Sequence, residues 1–226
     1  CAPPVDSKFD AGKKASGVIV TDHVLVDLNS VVHAAARKAG SPRDAVKRVV
    51  GKVEALLHGG RPGVTFRCRR SLGLFSDGPA PLAKLATQRQ RRLRGRHASR
   101  ADGADESCES SGFDMLSISP GTAFQRALGK GLEAWAAKAL GKRREGAFTT
   151  VVLSDAFCAG EGELKCMEYL DSLGPGSDVV VYGGDADLVA MALCRAPTTR
   201  GRLRVVDESG RCVDVGPLAG RLQGGS

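Results

Sequence analysis

Four short runs of apolar, largely β-branched residues, at 23–27, 71–77, 149–155 and 178–182, each end on a polar or acidic side chain. Short continuous apolar runs of this kind read as strands covered on both faces, which is how parallel sheets present themselves in sequence. Stretches with helical spacing lie between and after them, at 31–39, 43–57, 81–96, 122–140, 163–173 and 188–194. Strands alternating with helices predict an α/β fold, a doubly wound and mostly parallel sheet flanked by helices.

The chain has 226 residues, enough for one sizeable core. We expect a single domain over 1–226, with its core at about 22–193 and a flexible surface loop at 98–112. A hairpin and Gly-rich tail are expected over 201–226, with strands at 203–206 and 212–215. No run approaches the roughly 18 apolar residues of a membrane span, so a membrane role is not expected. Seven cysteines form no CxxC pair and no zinc-type Cys/His spacing, which predicts reduced thiols in a reducing compartment. The net charge of +8 favours a polyanionic partner.

The acids that close the strands matter most. In an open parallel sheet, ligands bind outside the C-terminal ends of the strands, where residues distant in sequence converge. Asp27 closes the first run and Asp77 the second; Glu161 and Glu163 follow the third in Gly-Glu-Gly-Glu, and Asp185 and Asp187 follow the fourth in Gly-Gly-Asp-Ala-Asp. Taken singly, each acid is an ordinary turn or helix cap. Their recurrence after all four strands predicts one crevice facing six carboxylates. Crowded anions repel unless cations neutralise them, and oxygen-only ligands select hard ions such as Mg²⁺ or Mn²⁺. Two such ions about 3.5 to 4 Å apart support in-line phosphodiester hydrolysis.

Just beyond Asp77, a proline-initiated helix is expected to carry Lys84, Gln88, Arg91 and Arg92 within about 100° of one face. Between 84 and 100 there are seven Lys or Arg and no acid. A charge run is ordinarily a solvated face. Here its start, a few residues past a candidate metal ligand, predicts a grip on a phosphate by charge-assisted hydrogen bonds.

Five blocks together resemble the N-terminal nuclease region of the Xrn-type 5′→3′ exoribonucleases, within the flap-endonuclease-like and PIN-like nucleases. They are Val26-Asp-Leu-Asn-Ser-Val-Val-His33, Asp77-Gly-Pro-Ala-Pro-Leu-Ala-Lys84 with Gln88-Arg-Gln-Arg-Arg92, Ser119-Pro-Gly-Thr-Ala-Phe124, Gly160-Glu-Gly-Glu-Leu-Lys165 and Tyr182-Gly-Gly-Asp-Ala-Asp-Leu188. The resemblance implies a PIN/FEN-like nuclease fold, with the six acids as ligands to Mg²⁺ or Mn²⁺, two ions in all. It implies a 5′-monophosphate pocket of Lys84, Gln88, Arg91 and Arg92, with His33 stacking on the first base and Asn29 beside it. The substrate implied is single-stranded RNA with a 5′-monophosphate, and the setting implied is intracellular, in nucleus or cytoplasm; an organelle such as the mitochondrion stays open as an alternative.

The sequence also departs from that family. Ser30 stands where the family has Gly, Leu82 replaces a basic residue, and the Gly-Asn-Asp block with a seventh carboxylate does not follow Asp187. Three expectations stay open: a fragment, an enzyme completed by a protein partner or ribonucleoprotein, or an RNA-binding component without turnover. A FEN-like structure-specific nuclease is a further alternative, although no helix-hairpin-helix DNA clamp follows Asp187.

Overall fold

The computed structural model describes residues 17–59, 64–79, 113–142, 147–199 and 201–223. Along the chain these form β1 (Gly17–Asp27), α1 (Leu28–Ala36), α2 (Pro42–His58), β2 (Val64–Phe75) and a short 3-10 turn (Met115–Ile118). There follow α3 (Ala123–Gly141), β3 (Thr150–Ser154), α4 (Gly162–Ser172), β4 (Val179–Tyr182) and α5 (Asp187–Thr199). The described chain closes with β5 (Leu203–Val206), β6 (Cys212–Asp214) and α6 (Val215–Gln223).

The strands form one six-stranded sheet in the order β3-β2-β1-β4-β5-β6. β1 to β5 are mutually parallel and only β6 runs antiparallel, against β5. The alternation of side chains along β1 explains the two-sided cover. Val24 and Val26 face a cluster with Val31 and Val32 of α1, Val49 and Val53 of α2, and Leu128 and Leu132 of α3. Leu25 points the other way, into a cluster with Met167 and Leu170 of α4, Leu188 of α5 and Val215 of α6. The expected doubly wound α/β architecture is therefore the observed one.

The chain winds from β1 outward to β2 and β3, then returns to place β4 and β5 on the other side of β1. This reversal is the topological switch point, where an open α/β sheet has its crevice. Asp27 is the last residue of β1, so it stands at that point.

Several boundaries differ from expectation. β1 and β2 begin well before 23 and 71, because Gly17–Thr21 and Val64–Cys68 pair with each other beyond the start of β4. In β2, Val64, Phe66 and Cys68 are buried while Arg67, Arg69 and Arg70 are exposed, an alternation that hides the strand among arginines. Ser76 and Asp77 leave the sheet rather than ending the second strand. After the expected hairpin, the tail folds into α6 despite Gly216, Pro217 and Gly220; its first residue, Val215, is fully buried. The expected loop at 98–112 lies outside the described residues.

Candidate active site

Asp27 is the hub. It is 3% exposed, ends β1 and caps α1, its Oδ1 accepting from the Asn29 backbone N–H at 3.1 Å. Two glycines from other strand ends close on it. A Cβ at Gly162 would lie 2.5 Å from Asp27 Oδ1, and one at Gly183 would lie 3.1 Å from the Asp27 Cβ. The glycine between Glu161 and Glu163 therefore lets the loop after β3 approach the carboxylate, which no side chain would allow.

Asp77 is tied into the same arrangement from two sides. Its Oδ1 accepts from Gly162 N–H at 2.8 Å, and its own backbone N–H donates to Asn29 Oδ1 at 3.2 Å. Asn29 thus spends its side-chain oxygen on holding the end of β2 to the start of α1. His33 lies exposed one turn further along α1.

Glu161 occupies the N-cap position of α4 without capping it through its side chain, and half-buried Glu163 stands in the first turn. Asp185 Oδ1 accepts from Asp187 N–H at 2.9 Å at the start of α5, and both residues are exposed. Lys84, Gln88, Arg91 and Arg92 lie outside the described residues. What is described of that segment is its root: Gly78 donates to Gly160 O at 2.8 Å and presses so closely on the Cys158 carbonyl that no side chain would fit there.

The electrostatics show which acids share one field. Burial pushes Asp27 up to about 7; the Asn29 hydrogen bond opposes this, and the charges of Asp77, Asp185 and Glu208 add to it. Glu163 is raised above the usual carboxylate range by burial, by its hydrogen bond with Glu161, and by the charges of Asp185, Glu161 and Asp27. Five of the six predicted acids, namely Asp27, Asp77, Glu161, Glu163 and Asp185, therefore feel one another. Asp187 is exposed, with its backbone N–H on Asp185.

Glu208 joins them from a position that the sequence reading assigns only to a hairpin turn. The turn is built by Asp207, whose Oδ1 accepts from Ser209 N–H at 2.8 Å and Arg211 N–H at 2.9 Å. It brings Glu208 Cδ within 3.9 Å of where a Cβ on Gly184 would be. The signal was present in sequence: Glu208 follows β5 as the other acids follow their strands. Beside it, Lys52 of α2 has a lowered pKa through burial, opposed by Glu208 and reinforced by Lys38 and Arg37, so cations border the acids on that flank.

Lys165 is a second residue the sequence reading left without a role. It is 6% exposed, and its Nζ donates to three backbone carbonyls, Cys158 O at 2.8 Å, Ser76 O at 2.9 Å and Asp155 O at 3.0 Å. One buried ammonium thereby fastens the loop after β3 to the end of β2, beneath Asp77 and Glu161.

Among the described residues, no group of three or more His, Cys, Asp or Glu side chains is placed to hold a metal ion. The donor chemistry nevertheless fits a hard divalent ion: the set is all oxygen, partly buried and mutually repelling.

A family model described as XRN 5'-3' exonuclease N-terminus matches residues 5–206, a stretch running from before β1 to the end of β5. The chain belongs to this family. The mostly parallel six-stranded sheet flanked by helices is consistent with the nuclease domain of an Xrn N-terminal region. Curated relatives include the 5'-3' exoribonuclease 2 of Aspergillus fumigatus, 31% identical over 201 residues, covering 76% of this chain and 19% of that protein. The enzyme of the same name from Aspergillus oryzae is 32% identical over 199 residues, with 76% and 19% covered. That from Neurospora crassa is 29% identical over 232 residues, with 90% and 21% covered. The Xrn-type chain thus spans about a fifth of the length of the curated relatives it matches.

Proposed function

We propose that this Xrn-family chain is a metal-dependent 5′→3′ exoribonuclease acting on 5′-monophosphorylated, single-stranded RNA. The observation that carries the reading is the convergence on buried Asp27 of acids from the ends of successive parallel strands, in a chain whose family and relatives are exonucleases. Two Mg²⁺ or Mn²⁺ ions, when bound, would supply an activated water and stabilise the leaving oxygen of the scissile phosphodiester.

The protein's own part is to hold and orient. Asp27, Asp77, Glu161, Glu163 and Asp185 present the oxygen ligands, Asp187 is exposed with its backbone N–H on Asp185, and Glu208 adds charge from the β5–β6 turn. Asn29 and Gly162 fix the Asp77 carboxylate by hydrogen bonds at its backbone and at its Oδ1. The segment rooted at Gly78 carries Lys84, Gln88, Arg91 and Arg92, the groups that would receive the terminal phosphate and exclude bulkier capped or triphosphorylated ends. His33, exposed on α1, is the candidate for stacking on the first base.

The test is incubation of the protein with 5′-monophosphate and 5′-triphosphate RNA in Mg²⁺, with an Asp185→Asn control for contamination. Loss of the monophosphate species alone supports the reading. RNA binding without cleavage of either species would instead favour a non-catalytic component of a ribonucleoprotein.

A further inference from the structure

Phe157 lies in the loop after β3 with 46% of its surface exposed, and the guanidinium carbon of Arg126 sits over its ring, 5.6 Å from the centroid. A single exposed phenylalanine is ordinary on a protein surface; what marks this one is the guanidinium held over its ring at the edge of the site. The loop is well fixed. Phe157 N–H donates to Asp155 Oδ1 at 2.9 Å, Cys158 N–H donates to Asp155 O at 3.2 Å, and Lys165 Nζ binds the carbonyls of both Asp155 and Cys158.

Arg126 is equally fixed at its root. It stands in the first turn of α3, just after the Ser119-Pro-Gly-Thr-Ala-Phe124 block that the carboxylate site leaves without a task. That helix packs closely on the same loop, since a Cβ on Gly129 would meet Asp155 Oδ2 at 3.1 Å. Arg126 is exposed, and among the described residues no carboxylate pairs with it. A guanidinium without a carboxylate partner among the described residues is thus held over a ring that stays 46% exposed. Their position is the rim of the acidic crevice: Phe157 immediately precedes Cys158, whose carbonyl presses on Gly78, the residue after Asp77.

We propose that Phe157 and Arg126 form a subsite for one unpaired nucleotide of an RNA strand, its base stacking on the ring and its phosphate paired with the guanidinium. This rests on the reading that the chain handles RNA, but not on its cutting it. Stacking on a ring without hydrogen-bonding atoms is indifferent to base identity, which suits an enzyme that removes any nucleotide in turn. Arg126 supplies positive charge where the neighbouring carboxylates alone would repel a phosphate.

Affinity is measured with the full chain in EDTA, where hydrolysis does not interfere, for a 5′-phosphorylated oligoadenylate and an abasic oligomer of equal length. Phe157→Ala and Phe157→Leu are expected to weaken oligoadenylate binding by about 5- to 150-fold. Phe157→Trp should keep or tighten it, and Arg126→Gln should weaken binding and flatten its salt dependence. On the abasic oligomer the Phe157→Ala penalty should vanish. Phe157→Ala within about twofold of wild type on oligoadenylate, an equal loss on both oligomers, or no wild-type binding would overturn the subsite. Hydrolysis is scored separately in Mg²⁺. A wild type that binds through Phe157 yet never cleaves removes the catalytic reading alone; one that cleaves without dependence on Phe157 removes the subsite alone.

Discussion

Gly162 stands directly against Asp27, so close that a methyl group on Gly162 would sit 2.5 Å from Asp27 Oδ1 and 3.1 Å from Phe75 O. The end of β1 and the start of α4 meet at this contact. Gly162→Ala should destabilise the fold by about 1 to 3 kcal/mol by overpacking, and should lower RNA hydrolysis by displacing Asp27. Gly51→Ala, in the middle of α2 where nothing lies within 4 Å, should instead stabilise by about 0.5 to 1 kcal/mol. Urea midpoints of the two variants are expected to move in opposite directions.

The raised pKa of Asp27 has a definite sign. Its carboxyl rises from 3.8 to about 7 on folding, so the folded protein keeps a proton that the unfolded chain releases. In metal-free protein this contributes stability below about pH 4 that is lost as pH climbs through about 7. Glu163, also raised, acts in the same direction. The melting temperature in EDTA should fall by a few degrees or more between mildly acidic and mildly basic pH. Millimolar Mg²⁺ should remove most of that fall, and Asp27→Asn should flatten the metal-free profile. A profile in EDTA that rises over the same range would contradict this account of the carboxylates.

Lys165→Met should be costly out of proportion to its size. It leaves the carbonyls of Ser76, Asp155 and Cys158 without their donor, at about 1 to 3 kcal/mol for each group that stays buried and unsatisfied. Hydrogen exchange is the informative measurement. Amides of 155–162 and 76–78 should lose protection together, while those of the β4–β5 ladder keep theirs.

Glu208→Gln should leave the fold intact, since Glu208 is exposed on its turn, yet change the site. Removing its charge should lower the Asp27 pKa and weaken divalent-ion binding by about tenfold, an effect of roughly 1.4 kcal/mol. Calorimetric titration with Mn²⁺ reads this directly. Unchanged ion affinity would leave Glu208 as an ordinary turn residue.

Ser30 Oγ is buried with no hydrogen-bond partner, against Gly184. Ser30→Ala should therefore be neutral or stabilising by up to about 1 kcal/mol in a thermal melt. A large loss would mean that the hydroxyl is satisfied in solution.

The parallel sheet was legible because its central strands are continuous apolar runs, and the mutual closeness of Asp27, Asp77, Glu161, Glu163 and Asp185 was legible because each ends or follows such a run. Glu208 escaped because the strand at 203–206 reads as one arm of a terminal hairpin, and its acids sit in a turn built by Asp207, where polar residues are ordinary. The first half of β2 escaped because exposed Arg67 and Arg69 alternate with buried Phe66 and Cys68, so no continuous apolar run appears there. Lys165 reads as the polar face of a helix until the fold brings three carbonyls from two loops onto its ammonium. Asn29 shows the same limit: its side-chain oxygen, expected beside RNA, is turned to the Asp77 backbone. Contacts that join distant loops have no local periodicity to reveal them.

The most direct test of the central claim follows 3′-labelled, 5′-monophosphorylated RNA, its triphosphorylated twin, and an internal-label control, with wild type and Asp27→Asn in Mg²⁺. The account predicts stepwise loss of nucleotides from the 5′ end of the monophosphorylated strand alone, abolished by Asp27→Asn and by EDTA. Inertness toward both strands, degradation from the 3′ end, or equal activity in Asp27→Asn would contradict it.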